Sequence, residues 1–274
     1  MESADRKTPT VSVVIPSGDR TRDSNLDRLI EDAKTQSRPP VEIEVVRGVA
    51  PNGRARNTGV ARTSGEILVF LDDDVRLGSP EILRIFAEHL QADATLGLVG
   101  TAQQLPPDST PFQRRLAEQL PRSQSPIVET LTESDMVTTQ CCAMRRVVLE
   151  EVGGFHDRIL RGVDPELRHR VRQAGYRIAV TPCSWHYHPM PASPRALLRM
   201  AWRDGIASAY ARRHFPETVL FNPDGHVAEF DAQPSFARRI RRNLGSLLQD
   251  VARGRWYGAL YGVVYIAGNV RGSR

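Results

Sequence analysis

The chain has 274 residues, 40% of them apolar and 25% charged, which describes a folded globular protein rather than a disordered one and allows one large α/β domain with a small appendage. Its net charge of +5 is unevenly placed: residues 236–274 hold eight arginines and one acid, Asp250, a net of +7, so the first 235 residues are slightly acidic. Residues 1–10 are polar with no apolar leader segment and are expected to be disordered, and the apolar stretch 256–270 is too short and too rich in Gly and Ala to span a bilayer.

In chain order, Val11-Ser12-Val13-Val14-Ile15-Pro16 predicts a first strand, ended by Pro16 and the polar turn Ser17-Gly18-Asp19-Arg20. Helical spacing over residues 25–36 follows, then a strand over 41–46, a helix over 55–62 and the strand beginning at Ile67. A strand–helix–strand–helix–strand order implies parallel pairing with helices on both faces of a doubly wound sheet. A helix over 80–91 leads to a strand over 96–100. Residues 103–135 are rich in Pro, Ser and Gln with one helical piece near 112–120, a length that suggests a lid or substrate loop. A strand over 136–144, a helix over 145–152, a helix over 165–174, a strand over 178–180 and a long amphipathic helix over 194–214 complete the body. The boundaries drawn are 1–10, a domain over 11–215, and a basic helical extension over 216–274. Cys141, Cys142 and Cys183 lack metal-type spacing and suit a reduced, cytoplasmic protein.

The most informative stretch is Ile67-Leu68-Val69-Phe70-Leu71-Asp72-Asp73-Asp74, a buried-strand pattern that stops in three carboxylates. Adjacent carboxylates disfavour one another's charged forms unless a cation is shared. Mg²⁺ takes one or two carboxylates and fills its shell with phosphate oxygens and water. Ligands of open α/β sheets also bind at the carboxyl ends of the strands. The plainer alternative is a solvated acidic turn.

Around this strand the motifs have a definite order. Gly53-Arg54-Ala55-Arg56-Asn57-Thr58-Gly59, Ala61 and Ser64-Gly65-Glu66 precede it. Glu151-Val152-Gly153-Gly154-Phe155, Gly162-Val163-Asp164-Pro165-Glu166-Leu167 with Arg170, Gly175-Tyr176-Arg177-Ile178 and Trp185-His186-Tyr187-His188 follow. This succession, from about Val11 to Phe215, resembles the inverting, nucleotide-sugar-dependent glycosyltransferases of family two. The resemblance implies a GT-A fold, a mostly parallel Rossmann-like sheet, here with a C-terminal helical tail. It implies a nucleotide-diphosphate sugar donor, an acceptor hydroxyl on a polysaccharide, lipid-linked or small molecule, and Mg²⁺ or Mn²⁺ as cofactor.

Carried over residue by residue, the resemblance makes Asp74 the metal ligand and puts Asp72 on the ribose or base side of the nucleotide. Strand alternation points Asp73 away, although it stays with the nucleotide-side group. Pro16, Asp19, Arg56 and Asn57 belong to that group too. His186 or His188 completes the metal site; the two share a side of an extended strand, and His186 is preferred. Asp164 is the general base, with Glu166 in reserve; Asp164 also fits as N-cap of a helix starting at Pro165. Two departures stand out. Val163 replaces the first of an acidic pair, which permits a catalytically lapsed member acting as an assembly partner. Arg47-Gly48-Val49 replaces acids that meet the nucleobase, so the nucleoside stays open.

A nucleotidyltransferase of similar fold would want a Gly-rich phosphate loop where Ser17-Gly18-Asp19-Arg20 stands. Nucleic-acid binding is not expected, because the chain shows no aromatic-plus-basic recognition module. In the extension, Phe236, Ile240, Leu244, Leu247, Leu248 and Val251 recur at helical spacing among Arg238, Arg239, Arg241 and Arg242. With the aromatic run Trp256, Tyr257, Tyr261, Tyr265, that pattern fits peripheral attachment to an anionic membrane at its inner face. The alternative is a helix packed on the body with a solvated basic face.

Overall fold

The structure, a computed structural model, describes residues 8–18, 20–120, 123–216 and 236–273, without the side chains of residues 236–240. Asp19 therefore lies outside the described residues, as do the side chains of Phe236, Arg238, Arg239 and Ile240. The described chain is held in place before Val11: the Thr10 N–H and hydroxyl both donate to Glu66.

β1 (Val11–Ser17), α1 (Asp23–Lys34), β2 (Glu42–Arg47), α2 (Asn52–Ala61) and β3 (Ile67–Leu71) form the expected alternating half. Next come β4 (Arg76–Leu77), α3 (Ile82–Ala92), β5 (Leu96–Gln104), α4 (Pro111–Gln119), β6 (Thr132–Glu133), β7 (Cys141–Arg145), α5 (Arg146–Glu151), α6 (Val163–Gln173) and β8 (Arg177–Tyr187). α7 (Pro194–His214), α8 (Phe236–Ala252) and α9 (Trp256–Gly272) close the described chain. The sheet order is β2-β1-β3-β7-β5-β8-β4, with β6 added beside β8. β2, β1, β3, β5 and β8 run the same way, and β7 is inserted antiparallel between β3 and β5.

Period-two alternation divides the sheet's side chains between two cores. Val13, Ile15, Val69 and Leu71 pack with Leu26 and Leu29 of α1 and with Leu83 and Phe86 of α3. Val14, Leu68 and Phe70 face Leu149 of α5, Leu167 of α6 and Phe155. A Cβ on Gly59 would sit 2.3 Å from Val14 Cγ1, so only glycine lets α2 lie this close to β1.

Three elements differ from the sequence expectation in ways that matter to the site. Of the strand expected over 136–144, only the part from Cys141 is strand; residues 139 and 140 form a turn beneath the acidic strand end. α6 starts at Val163, two residues early, because Gly162 takes the left-handed conformation (φ 86°) as its N-cap. β8 continues to Tyr187 through an irregular step, where Cys183 has φ 49° and the pairing with β5 shifts register. That continuation delivers His186 and His188 to the end of β3.

Among the described residues the extension shows two helices with different fates. α9 lies along α7, where a Cβ on Gly205 would come within 2.2 Å of the Tyr265 carbonyl oxygen and one on Gly268 within 2.5 Å of that of Trp202. The Tyr261 and Tyr265 hydroxyls donate to or share hydrogen bonds with Asp204 and Ser208 of α7, and Tyr257 stacks edge-on with Phe112. The aromatic run expected at a membrane is therefore mostly turned into the protein. Only Trp256 of the four is largely exposed, at 65%. Among the described residues no helix is long and apolar enough to cross a membrane.

Candidate active site at the strand ends

β3 ends at Leu71, and the chain turns at once: Val75 N–H donates to the Asp72 carbonyl at 3.2 Å. The turn ends the strand alternation, so Asp73 does not point away on its own. Its carboxylate meets the Arg22 guanidinium at 2.7 Å, and the same Nη1 lies 2.8 Å from Asp74 Oδ2. Asp72 leans the other way, to Arg56 of α2 at 2.6 Å. Burial pushes the Asp72 carboxyl up to about 7; Arg56 opposes the rise, while Asp74, Asp164 and Asp73 add to it.

Asp74 keeps one oxygen for something else. Its Oδ1 is buried and has no hydrogen-bond partner, and His188 Nε2 stands 3.6 Å away. Burial lowers the His188 pKa, against the pull of Asp74, which favours the neutral imidazole that can offer a lone pair. His186 is placed differently. Its Nδ1 is 2.7 Å from Thr101 Oγ1, and its Nε2 is 3.4 Å from Gln140 Oε1. Burial, with His188 nearby, pushes its pKa down to about 3. The two histidines share a side of the strand as expected, but His188, not His186, is at Asp74; His186 lies deeper, against Thr101.

Asp164 sits in the first turn of α6 and does not cap it. Its Oδ1 accepts from the Thr139 N–H at 3.1 Å and from the Thr139 hydroxyl at 2.5 Å. Both bonds fall on one oxygen, which fixes the carboxylate. Val163, the departure from the acidic pair, is buried in the core beside the sheet. Glu166 is buried and held by Arg170 through two oxygens at 2.5 and 2.7 Å, while Arg170 also bonds the Val152 carbonyl. That bidentate pair makes Glu166 a strut of α6 rather than a spare base.

The remaining nucleotide-side expectations have protein partners as well. Arg56 is 2% exposed and is the counter-ion of Asp72, with its guanidinium 5.5 Å over the Phe155 ring. Asn57 clamps the Phe155 backbone, donating to its carbonyl at 2.7 Å and accepting from its N–H at 2.9 Å. Pro16 is buried within β1, paired with Val46. Next to it, Ser17 has a buried hydroxyl without a partner at the carboxyl end of β1, a position the sequence reading passed over. Two arginines were passed over too. Arg22 is one. Arg161, in the loop before α6, pairs with Asp204 of α7 at 2.7 Å and lies close enough to lower the His188 pKa.

Among the described residues no group of three or more His, Cys, Asp and Glu converges as a metal site. A cation here would take one carboxylate and one imidazole from the protein and the rest of its shell from phosphate and water, a division suited to a site that binds metal together with a diphosphate.

The architecture and this site define a glycosyltransferase of the GT-A fold. A model described as "Glycosyltransferase like family 2" matches residues 3–207, and the chain belongs to that family. Among solved structures it is similar to a mannosyltransferase, PcManGT from Pyrobaculum calidifontis, in complex with GDP-Man and Mn²⁺. That likeness has TM-score 0.55 and 16% identity, over 97% of this chain and 88% of that one. It is also similar to GalNAc-T7 with UDP, GalNAc and Mn²⁺, with TM-score 0.50 and 14% identity, over 79% and 54% of the two chains. These likenesses are of fold. In sequence it is 28% identical over 234 residues to the O-antigen biosynthesis protein RfbC of Myxococcus xanthus; the match covers 70% of this chain and 18% of that protein's length.

Proposed function

We propose that this glycosyltransferase moves a sugar, with inversion, from a nucleoside diphosphate to an acceptor hydroxyl, with Asp74 and His188 holding a divalent cation and Asp164 taking the acceptor proton. The observation that carries it is Asp74 Oδ1, a buried carboxylate oxygen with no hydrogen-bond partner, facing His188 at 3.6 Å. A buried unpaired carboxylate oxygen is costly, and a cation beside it removes the cost. Mg²⁺ or Mn²⁺ held there would stabilise the negative charge that grows on the leaving diphosphate. The fold neighbours, one in complex with GDP-Man and Mn²⁺ and one with UDP, GalNAc and Mn²⁺, support this choice of ligands.

The protein's own groups do the rest. Thr139 fixes Asp164 so that its second oxygen can accept the proton of an incoming hydroxyl. Arg56 compensates Asp72, and His186 braces the β5–β8 floor through Thr101. Ser17, at the end of β1, offers its hydroxyl to the nucleotide. Release of UDP or GDP from a panel of nucleotide sugars, with Mn²⁺ and with chelator, tests the assignment. Release that depends on metal and is lost in Asp74→Asn supports it; equal release in chelator contradicts it.

The acceptor is read as a cell-envelope or lipid-linked glycan, with the enzyme at the inner face of the membrane. The sequence relative named for O-antigen biosynthesis supports the first half. The exposed apolar stripe Leu244, Leu248 and Val251 on α8, at 50%, 69% and 43%, with Arg241 and Arg242 exposed on the same helix, supports the second. Each arginine near an anionic surface contributes about 1 kcal/mol. The three cysteines are free thiols, as a reducing compartment requires.

A further inference from the structure

The two arginines that neutralise the carboxylates are built differently. Arg56 is 2% exposed, enclosed between Asp72, Phe155 and the Thr139 carbonyl. Arg22 is 43% exposed and stands at the rim, as the N-cap residue of α1. α1 does not rely on it for its position, because Asn25 Nδ2 donates to the Asp73 and Val75 carbonyls at 2.9 and 3.0 Å and pins the helix start to the acidic turn. The helix start is thus held by Asn25, and Arg22 is the solvent-accessible one of the two arginines.

Asp74 is the point of conflict. Oδ2 pairs with Arg22 and Oδ1 faces His188, so the carboxylate proposed to hold a metal already carries a protein cation. A divalent ion and a guanidinium on one carboxylate repel each other at close range. Without the metal, however, Asp73 and Asp74 need a counter-ion, since adjacent carboxylates disfavour each other's charge. A diphosphate changes the balance again, because it offers a guanidinium fork two acceptors in matching geometry.

We propose that Arg22 is an exchangeable counter-ion: in the metal-free enzyme it neutralises Asp73 and Asp74, and when metal and nucleotide bind it leaves Asp74 and grips the diphosphate. This rests on the metal–nucleotide assignment above. It yields effects of opposite sign from one substitution. In Arg22→Met, Mn²⁺ measured by electron paramagnetic resonance without nucleotide binds tighter, by roughly three- to tenfold, because the competing cation is gone. GDP and UDP measured calorimetrically in saturating Mn²⁺ bind weaker, by about tenfold, because a charge-assisted bidentate contact is lost. In chelator the variant melts below wild type, and saturating Mn²⁺ narrows that gap. Arg22→Lys, which keeps the charge without the fork, keeps the wild-type Mn²⁺ affinity but loses part of the nucleotide affinity.

A fixed strut that merely orients Asp74 would weaken Mn²⁺ and nucleotide together, and that result, or unchanged Mn²⁺ binding, overturns the proposal. Unchanged GDP and UDP affinity removes the diphosphate half of it. Asp74→Asn separates the two levels. If wild type binds Mn²⁺ through Asp74 but Arg22→Met does not tighten it, only the Arg22 assignment falls. If wild type and Asp74→Asn alike bind no Mn²⁺ with GDP or UDP present, the metal assignment falls and takes this one with it.

Discussion

The strand-end site and the α8 helix use arginine in opposite ways. At the strand ends Arg22, Arg56 and Arg161 each pair with a carboxylate of a distant segment at 2.8 Å or less, and Arg170 pairs with Glu166 one turn away in α6. On α8, Arg241 and Arg242 are exposed beside an exposed apolar stripe. The first region is determined from within: removing one partner leaves a buried charge. The second has its charge and apolar area turned outward, and what it does depends on what it meets. α9 lies between these extremes, its tyrosines sealed against α7 while Trp256 stays exposed.

Substitutions should expose that contrast, strongest at the site. Asp164→Asn is expected to cut transfer by about 10²–10⁴ while GDP and UDP affinity in Mn²⁺ stays near wild type, since a general base acts on the acceptor and not the donor. Normal transfer by this variant, measured with a responsive acceptor, would leave Asp164 as only a partner for Thr139. Arg56→Ala should destabilise the metal-free fold by about 3–5 kcal/mol, because it strands the Asp72 carboxylate. The sign with pH is fixed. Without Arg56, the folded Asp72 pKa rises still further above the ordinary 3.8, so protonation relieves the stranded charge. The deficit should therefore be smaller at pH 5 than at pH 8 in urea unfolding with chelator present. A deficit that shrinks as pH rises would mean Asp72 is not the group stranded.

Effects should diminish towards the C-terminus. Gly268→Val places a side chain where a Cβ alone would lie 2.5 Å from the Trp202 carbonyl oxygen. It should cost roughly 1–3 kcal/mol by prising α9 from α7, visible as a lower melting temperature. The double change Leu244→Glu with Leu248→Glu should alter stability by no more than about 0.5 kcal/mol, because both side chains are exposed. It should nevertheless abolish sedimentation with anionic liposomes. Unaltered liposome binding, or a large drop in stability, would place the α8 stripe against protein.

Much of this was legible in the sequence because it is local. The apolar run into Asp72 marked β3, and the amphipathic spacing over residues 194–214 matches α7. What escaped depends on distant partners or on backbone breaks. Period two puts His186 and His188 on one side but does not say that His186 goes down to Thr101 while His188 stays level with Asp74. Arg22 meets Asp73 from 51 residues away, and no spacing rule announces that. Residues 136–140 read as strand because Met136 and Val137 are apolar; Thr138, Thr139 and Gln140 were the signal that a polar turn lay there. The tail's tyrosines looked interfacial by composition, but Phe112 on α4 and Asp204 and Ser208 on α7 hold them inward.

The central claim, a metal–diphosphate site built on Asp74 and His188, is tested most directly by Mn²⁺ binding in the presence of GDP or UDP, followed by electron paramagnetic resonance. The account predicts that wild type binds Mn²⁺, that Asp74→Asn loses it, and that His188→Ala weakens it more than His186→Ala does. Wild-type Mn²⁺ affinity in Asp74→Asn would contradict the account.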